Sequence, residues 1–169
     1  MPAELSRNGS EAYKNADRNV RFRWISPRRS LGPTAVATAL INGAALYETG
    51  IATRYPIPTA VASSVLYIAS AVTDYKTTVR AAEAMQHAEA NGIRGQHRER
   101  SPLARGETRP EALKKNKKML MADIAASIVS LFPYVGIPLA ISKFRAALEN
   151  FRTEKVYNRA IEISKSKGS

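Results

Sequence analysis

The sequence predicts an all-α integral membrane protein built of helical hairpins, with three or four apolar helices and polar, basic helical extensions. Three observations carry that expectation. Charge is separated by block: from Leu31 to Thr73 the charged residues are Glu48 and Arg54, and from Met119 to Ser142 there is only Asp123. A water-soluble amphipathic helix interleaves charged and apolar residues at the 3.6-residue period instead. Outside those blocks lie all but one of the 26 basic side chains, in a chain of 169 residues with net charge +12. Finally, proline and glycine fall inside the apolar blocks where hairpins would turn, as RYPIP from Arg54 and as FPYVGIP from Phe132.

Residues 1–30 are expected to form a basic tail and an interfacial arm. The first 18, with Asn8, Gly9 and Ser10 among mixed charges, read as flexible and lack the short apolar core of a secretory signal. Beyond them Val20, Phe22 and Trp24 alternate with Arg21 and Arg23. Two readings fit: an extended edge segment, or an arm with the Trp24 indole at headgroup level. In the second, Arg21, Arg23, Arg28 and Arg29 meet lipid phosphates.

Residues 31–92 are expected to be the first membrane hairpin. Pro33 suits the first turn of a helix that runs to Tyr47, because a missing N–H is harmless there. Glu48, Gly50, Pro56 and Pro58 interrupt the helical pattern. A second helix starts near Pro58 and runs on through a polar extension to the Asn91–Gly92 stop. The two apolar arms, 31–47 and 55–73, have 17 and 19 residues, against about 20 for a bilayer crossing. Residues 93–112, with Gly95, Pro102, Gly106 and Pro110 among arginines, read as a basic mobile linker.

Residues 113–164 are expected to hold the second apolar block and an amphipathic C-terminal helix, with 165–169 as a tail. The block, 119–142, is the most hydrophobic run in the chain. Either it crosses once as a kinked helix, or FPYVGIP turns it into a re-entrant hairpin. The hairpin pair is preferred, because it puts 25 of 26 basic residues on one face, as the preference of Lys and Arg for the cytosolic side requires. That orientation makes the N-terminus and the central linker cytosolic. Its short arms need a turn shielded by protein.

Within the blocks, polar residues keep helical phase. Ser63, Tyr67, Ser70 and Asp74 form one stripe, Asp123, Ser127 and Ser130 a second, and Thr34, Thr38 and Asn42 a third. Such stripes are most simply packing seams between helices. The sharper alternative makes Asn42 and Asp123 part of an ion or proton path. Glu48 and Asp74, at block edges, are expected to face water. Lys114, Lys115, Lys117 and Lys118 precede the second block and are expected to hold its end at an anionic leaflet.

Catalytic fingerprints are missing. The chain contains no cysteine, which excludes thiol nucleophiles, disulfides and iron–sulfur sites. His87 and His97 have no metal-ligand spacing around them, and Glu83 is expected to pair with His87 on a helix surface. Neither a phosphate-cradling glycine loop nor a nucleophile elbow is present. No cofactor and no enzyme activity are expected. The expected role is a non-catalytic structural or accessory membrane subunit that packs on a protein partner or its own copies, with anionic lipid headgroups against its basic segments. A membrane-permeabilising, holin-like assembly and a soluble basic helical protein that binds nucleic acid are the alternatives.

Overall fold

A computed structural model describes residues 2–20, 41, 44–45, 47–93, 103–104 and 106–167. The described residues are helical and contain no strand. Their helices are α1 (Pro2–Asn19), α2 (Ile51–Arg54), α3 (Pro56–Ala90), α4 (Pro110–Lys114), α5 (Lys117–Val129) and α6 (Pro133–Lys167). Backbone at 41, 44–45 and 47–49 is also helical, and Gly50 at φ +60° separates it from α2.

The end of α3 follows the sequence expectation for a physical reason. Gly92 adopts φ +74°. Ile93 N–H donates to the Ala88 carbonyl at 2.9 Å and Gly92 N–H to Glu89 at 3.0 Å. That pair of bonds closes a helix whose next residue is in the left-handed conformation, which glycine adopts without strain.

Two elements differ from expectation. Residues read as a flexible tail form α1, because the face of α1 that docks is built of small residues and escapes a search for apolar periodicity. Gly9, Ala12 and Ala16 are buried, and a Cβ at Gly9 would collide with the Gly92 carbonyl oxygen. In the second apolar block the turn comes earlier than FPYVGIP: it occupies Ser130–Phe132, and α6 begins at Pro133 and runs through Gly136 and Pro138. Pro133 sits where a helix N–H lacks a partner anyway.

Packing divides the chain into two units. The first combines α1, α3 from Lys76, α4, and α6 from Leu148. Its core contains Ala16, Met85, Ala88, Ile93, Val156, Tyr157, Ala160 and Ile161. Thr78 accepts a hydrogen bond from Asn150 at 2.8 Å, and Met85 shares the core with Tyr157, so α3 and α6 run parallel here. The contacts of Gly9 with Gly92 and of Asp17 with Arg152 (2.6 Å) set α1 antiparallel to both. The Tyr13 and Tyr157 rings lie 5.3 Å apart; burial pushes the Tyr13 phenol up, Asp17 adds to that and Arg152 opposes it. Each fully buried Met, Ile or Val stabilises such a core by about 1.5–3 kcal/mol. Apolar side chains dominate the interior of this unit, with Thr78, Asn150 and Arg152 buried beside them.

The second unit contains α3 up to Tyr75, α5, and α6 up to Ala147. Ser64 meets Ser127 and Tyr67 meets Asp123, so α5 runs antiparallel to α3. Tyr67 and Ala71 pack on Ala140, and Asp74 meets Lys143, so α6 runs parallel to α3. The block 119–142 is therefore a helical hairpin laid along α3. Among the described residues α3 is the one helix long and apolar enough to cross a membrane, with a mean hydropathy of 1.4 over its best 18 residues.

Candidate functional site: a polar seam inside an apolar shell

The second unit reverses the usual order of a folded domain. Its most buried side chains include Ser63 (1% exposed), Tyr67 (2%), Ser70 (4%) and Ser130 (0%). Outside stand Ile57, Val61, Val65, Leu66, Ile68 and Val72 of α3, Leu120, Met121, Ile124 and Ile128 of α5, and Phe132 of the turn. Of all the large apolar side chains exposed among the described residues, only Leu103 belongs to the first unit. Helical phase produces this: the 63–67–70–74 stripe turns toward the hairpin, which leaves branched aliphatic residues on the remaining faces.

The seam is hydrogen-bonded along its length. Ser64 Oγ donates to the Ser127 carbonyl at 3.3 Å, and Ser130 Oγ donates to the same carbonyl at 2.6 Å. Ser127 Oγ donates to Ile124 O (2.6 Å) and Ser70 Oγ to Tyr67 O (2.7 Å). Ser63 Oγ is buried with no partner among the described residues. It lies at a close approach of the backbones, where a Cβ on Gly136 would strike both Ser63 Oγ and the Ser130 backbone.

An ionic cluster stands at one end of the seam. Lys143 Nζ is 3.0 Å from Asp123 Oδ1 and 3.3 Å from Asp74 Oδ2, and the Tyr67 hydroxyl donates to Asp123 Oδ1 at 3.0 Å. One ammonium and one phenol thus join two carboxylates contributed by α3 and α5. Asp74, expected to face water, turns inward, with its side chain 14% exposed. The register of α6 accounts for this, since it brings Lys143 alongside. A buried carboxylate is tolerable only when paired and hydrogen-bonded.

The sequence-derived residues distribute as follows. Ser63, Tyr67, Ser70, Asp123, Ser127 and Ser130 come together in the seam. Lys114 belongs to the first unit and pairs with Glu83 at 3.1 Å, so Glu83 takes this partner and not His87. Lys115 is exposed in the break between α4 and α5. Lys117 and Lys118 are exposed in the first turn of α5, where the helix dipole disfavours positive charge by a few tenths of a kcal/mol. Asn42, Arg21, Arg23, Trp24, Arg28, Arg29 and His97 lie outside the described residues. Sequence reasoning missed Lys143; its position beside Asp123 depends on helix register, which no local spacing encodes.

Antiparallel α5 and parallel α6 bring Lys117, Lys118, Lys143 and Arg145 to the Asp74 end of the unit. The opposite end carries Tyr55, Ile57, Leu131, Phe132 and Tyr134, all exposed. No group of three metal-ligating side chains occurs among the described residues. Comparison with protein-family models, with curated proteins and with solved structures returns no match.

Proposed function

We propose that the chain is a non-catalytic integral membrane protein, a structural or accessory subunit whose second unit is dissolved in hydrocarbon and whose first unit stands in water. The carrying observation is the inverted second unit, with serines and an ionic cluster inside and aliphatic side chains outside. In water that arrangement would forfeit about 25 cal/mol for every Å² of apolar surface left exposed. In lipid it removes that loss and shields the polar groups.

Connectivity supports a pair of hairpins. The chain leaves the first unit after α1 and rejoins it on α3, then leaves after α4 and rejoins it on α6. With that unit in water on one face, each excursion enters and leaves through the same face. The preference of Lys and Arg for the cytosolic side makes that face cytosolic. Anionic headgroups are then the partners of Lys117, Lys118 and Arg145, each basic residue near the surface adding about 1 kcal/mol. A permeabilising assembly would need polar groups on the outside to line a lesion, whereas those of the seam are taken up by contacts within the chain.

Alkaline washing of membranes tests the reading together with tags inserted at residues 52, 107 and 165. The protein should stay in the pellet, with the tags at 107 and 165 accessible from the same face. Release into the supernatant, or accessibility of 107 and 165 from opposite faces, contradicts it.

A further inference from the structure

Exposed tyrosines bracket the apolar half of α3. Tyr55, 56% exposed, stands immediately before Pro56, and Tyr75, 39% exposed, follows Asp74. Between them residues 56–73 carry no charged side chain, whereas Arg54 precedes Tyr55 and Lys76 follows Tyr75, both exposed. The helix is continuous from Pro56 to Ala90, so the rise from Tyr55 to Tyr75, at 1.5 Å per residue, is about 30 Å. A bilayer's hydrocarbon core is also about 30 Å thick. Tyrosine rings favour the edges of that core, where the ring meets acyl chain and the hydroxyl meets headgroup.

Both ends suit such a boundary. The start of a helix leaves its first N–H groups without intrahelical partners, and each one costs free energy in hydrocarbon. Here Pro56 and Pro58 have no N–H, and Thr59 N–H donates to the Tyr55 carbonyl at 3.1 Å. Thr59 Oγ1 donates to the same carbonyl at 2.6 Å. Of the first four residues, Ile57 alone keeps an N–H outside these bonds, for headgroup or water to take up. At the Asp74 end Lys143 joins Asp74 and Asp123, and Lys117, Lys118 and Phe144 are exposed. Cations and aromatic rings in that combination mark an interface with headgroups.

Building on the membrane reading, we propose that Tyr55 and Tyr75 stand at opposite lipid–water boundaries. The helix α3 then crosses the whole bilayer and presents α2 on the face away from Lys117 and Lys118. It also sets the hydrocarbon thickness that the protein prefers, at about 30 Å. The partner is a phospholipid bilayer with a core of that thickness, whose headgroups receive the two phenol rings and, on the far face, Arg54. A thicker core draws one tyrosine and its neighbouring cation below the headgroups, and a thinner one leaves apolar side chains in water. Tilting or local deformation of the bilayer relieves either mismatch at a cost, so the protein sorts toward matched membrane.

The test uses the full chain with Tyr55→Trp or Tyr75→Trp, each in a Trp24→Phe background, reconstituted in phosphatidylcholine and phosphatidylglycerol. Bromines placed high on the acyl chains should quench both indoles about twofold or more beyond bromines near the chain ends, as rings at headgroup level require. Lengthening the acyl chains should raise deep quenching at one position or both once the core exceeds about 30 Å. A second readout is independent of the tryptophan variants. In sealed membranes from expressing cells, Thr53→Cys and Asn158→Cys should react with an impermeant maleimide from opposite faces. An indole at 55 quenched mainly from the chain ends, quenching indifferent to chain length, or both cysteines reacting from one face overturns the proposal. For protein that resists alkaline wash, each of these results leaves the membrane reading intact. Protein released by the wash overturns both.

Discussion

Lys143 is the residue on which the seam turns, because its ammonium lies between Asp74 and Asp123. Lys143→Met leaves two carboxylates without this counter-charge. Unfolding in detergent micelles should show a loss of about 1–3 kcal/mol, allowing for partial exposure of the group. Most of that loss should return when Asp74→Asn and Asp123→Asn are added; a single variant as stable as the parent contradicts the coupling. Gly136→Ala probes the close approach at Ser63 and Ser130, and overpacking there should lower stability by about 1–3 kcal/mol in the same assay. In the first unit, Arg109 and its backbone N–H, with that of Thr108, hold the exposed Glu107 carboxyl down to about 2. An unfolded Glu titrates near about 4.3, so the folded value is the depressed one. Whatever stability Glu107 contributes is therefore present above that unfolded value and is lost as pH falls through about 2. An NMR titration of the Glu107 carboxyl should give a midpoint near the lower figure, and a midpoint near 4.3 would be the contrary result.

At the scale of elements, α5 and α6 form the least conventional part, since their turn at Ser130–Phe132 ends in exposed Leu131 and Phe132. Phe132→Trp in a Trp24→Phe background places the only indole at that tip. Lipids brominated deep in the acyl chains should quench it strongly and aqueous iodide hardly at all; the reverse pattern would place the tip in water. Much of this was legible in the sequence. The Gly92 stop of α3 was legible because its backbone preference is local, and the phase of Ser63, Tyr67 and Ser70 set one inward face for the same reason; the start, expected near Pro58, comes two residues earlier at Pro56. Three features were not. The docking face of α1 consists of Gly9, Ala12 and Ala16, which add little to any apolar period and matter only because a neighbouring backbone comes close. Helix continuity through Gly136 and Pro138 is a tertiary outcome that overrides local propensity. The inward turn of Asp74 depends on Lys143, which is 69 residues away in the chain.

For the whole molecule, the two units follow opposite rules on one chain. The first buries Met85, Ile93, Val156 and Ile161 and presents charge; the second buries serines and presents Val65, Ile68 and Ile128. The apolar blocks of the sequence, 31–73 and 119–142, fall within the second unit. The linear segments do not coincide with the units, since α3 and α6 each serve both. The absence of cysteine makes a direct measurement straightforward. Spin labels placed singly at Val65→Cys, Ile128→Cys and Asn158→Cys in reconstituted protein report collision with oxygen, which concentrates in hydrocarbon, and with a nickel chelate, which stays in water. Labels at 65 and 128 should collide far more with oxygen than with the chelate, and the label at 158 the opposite. Equal chelate access at all three positions, in protein that remains monodisperse in buffer without detergent, would contradict the account.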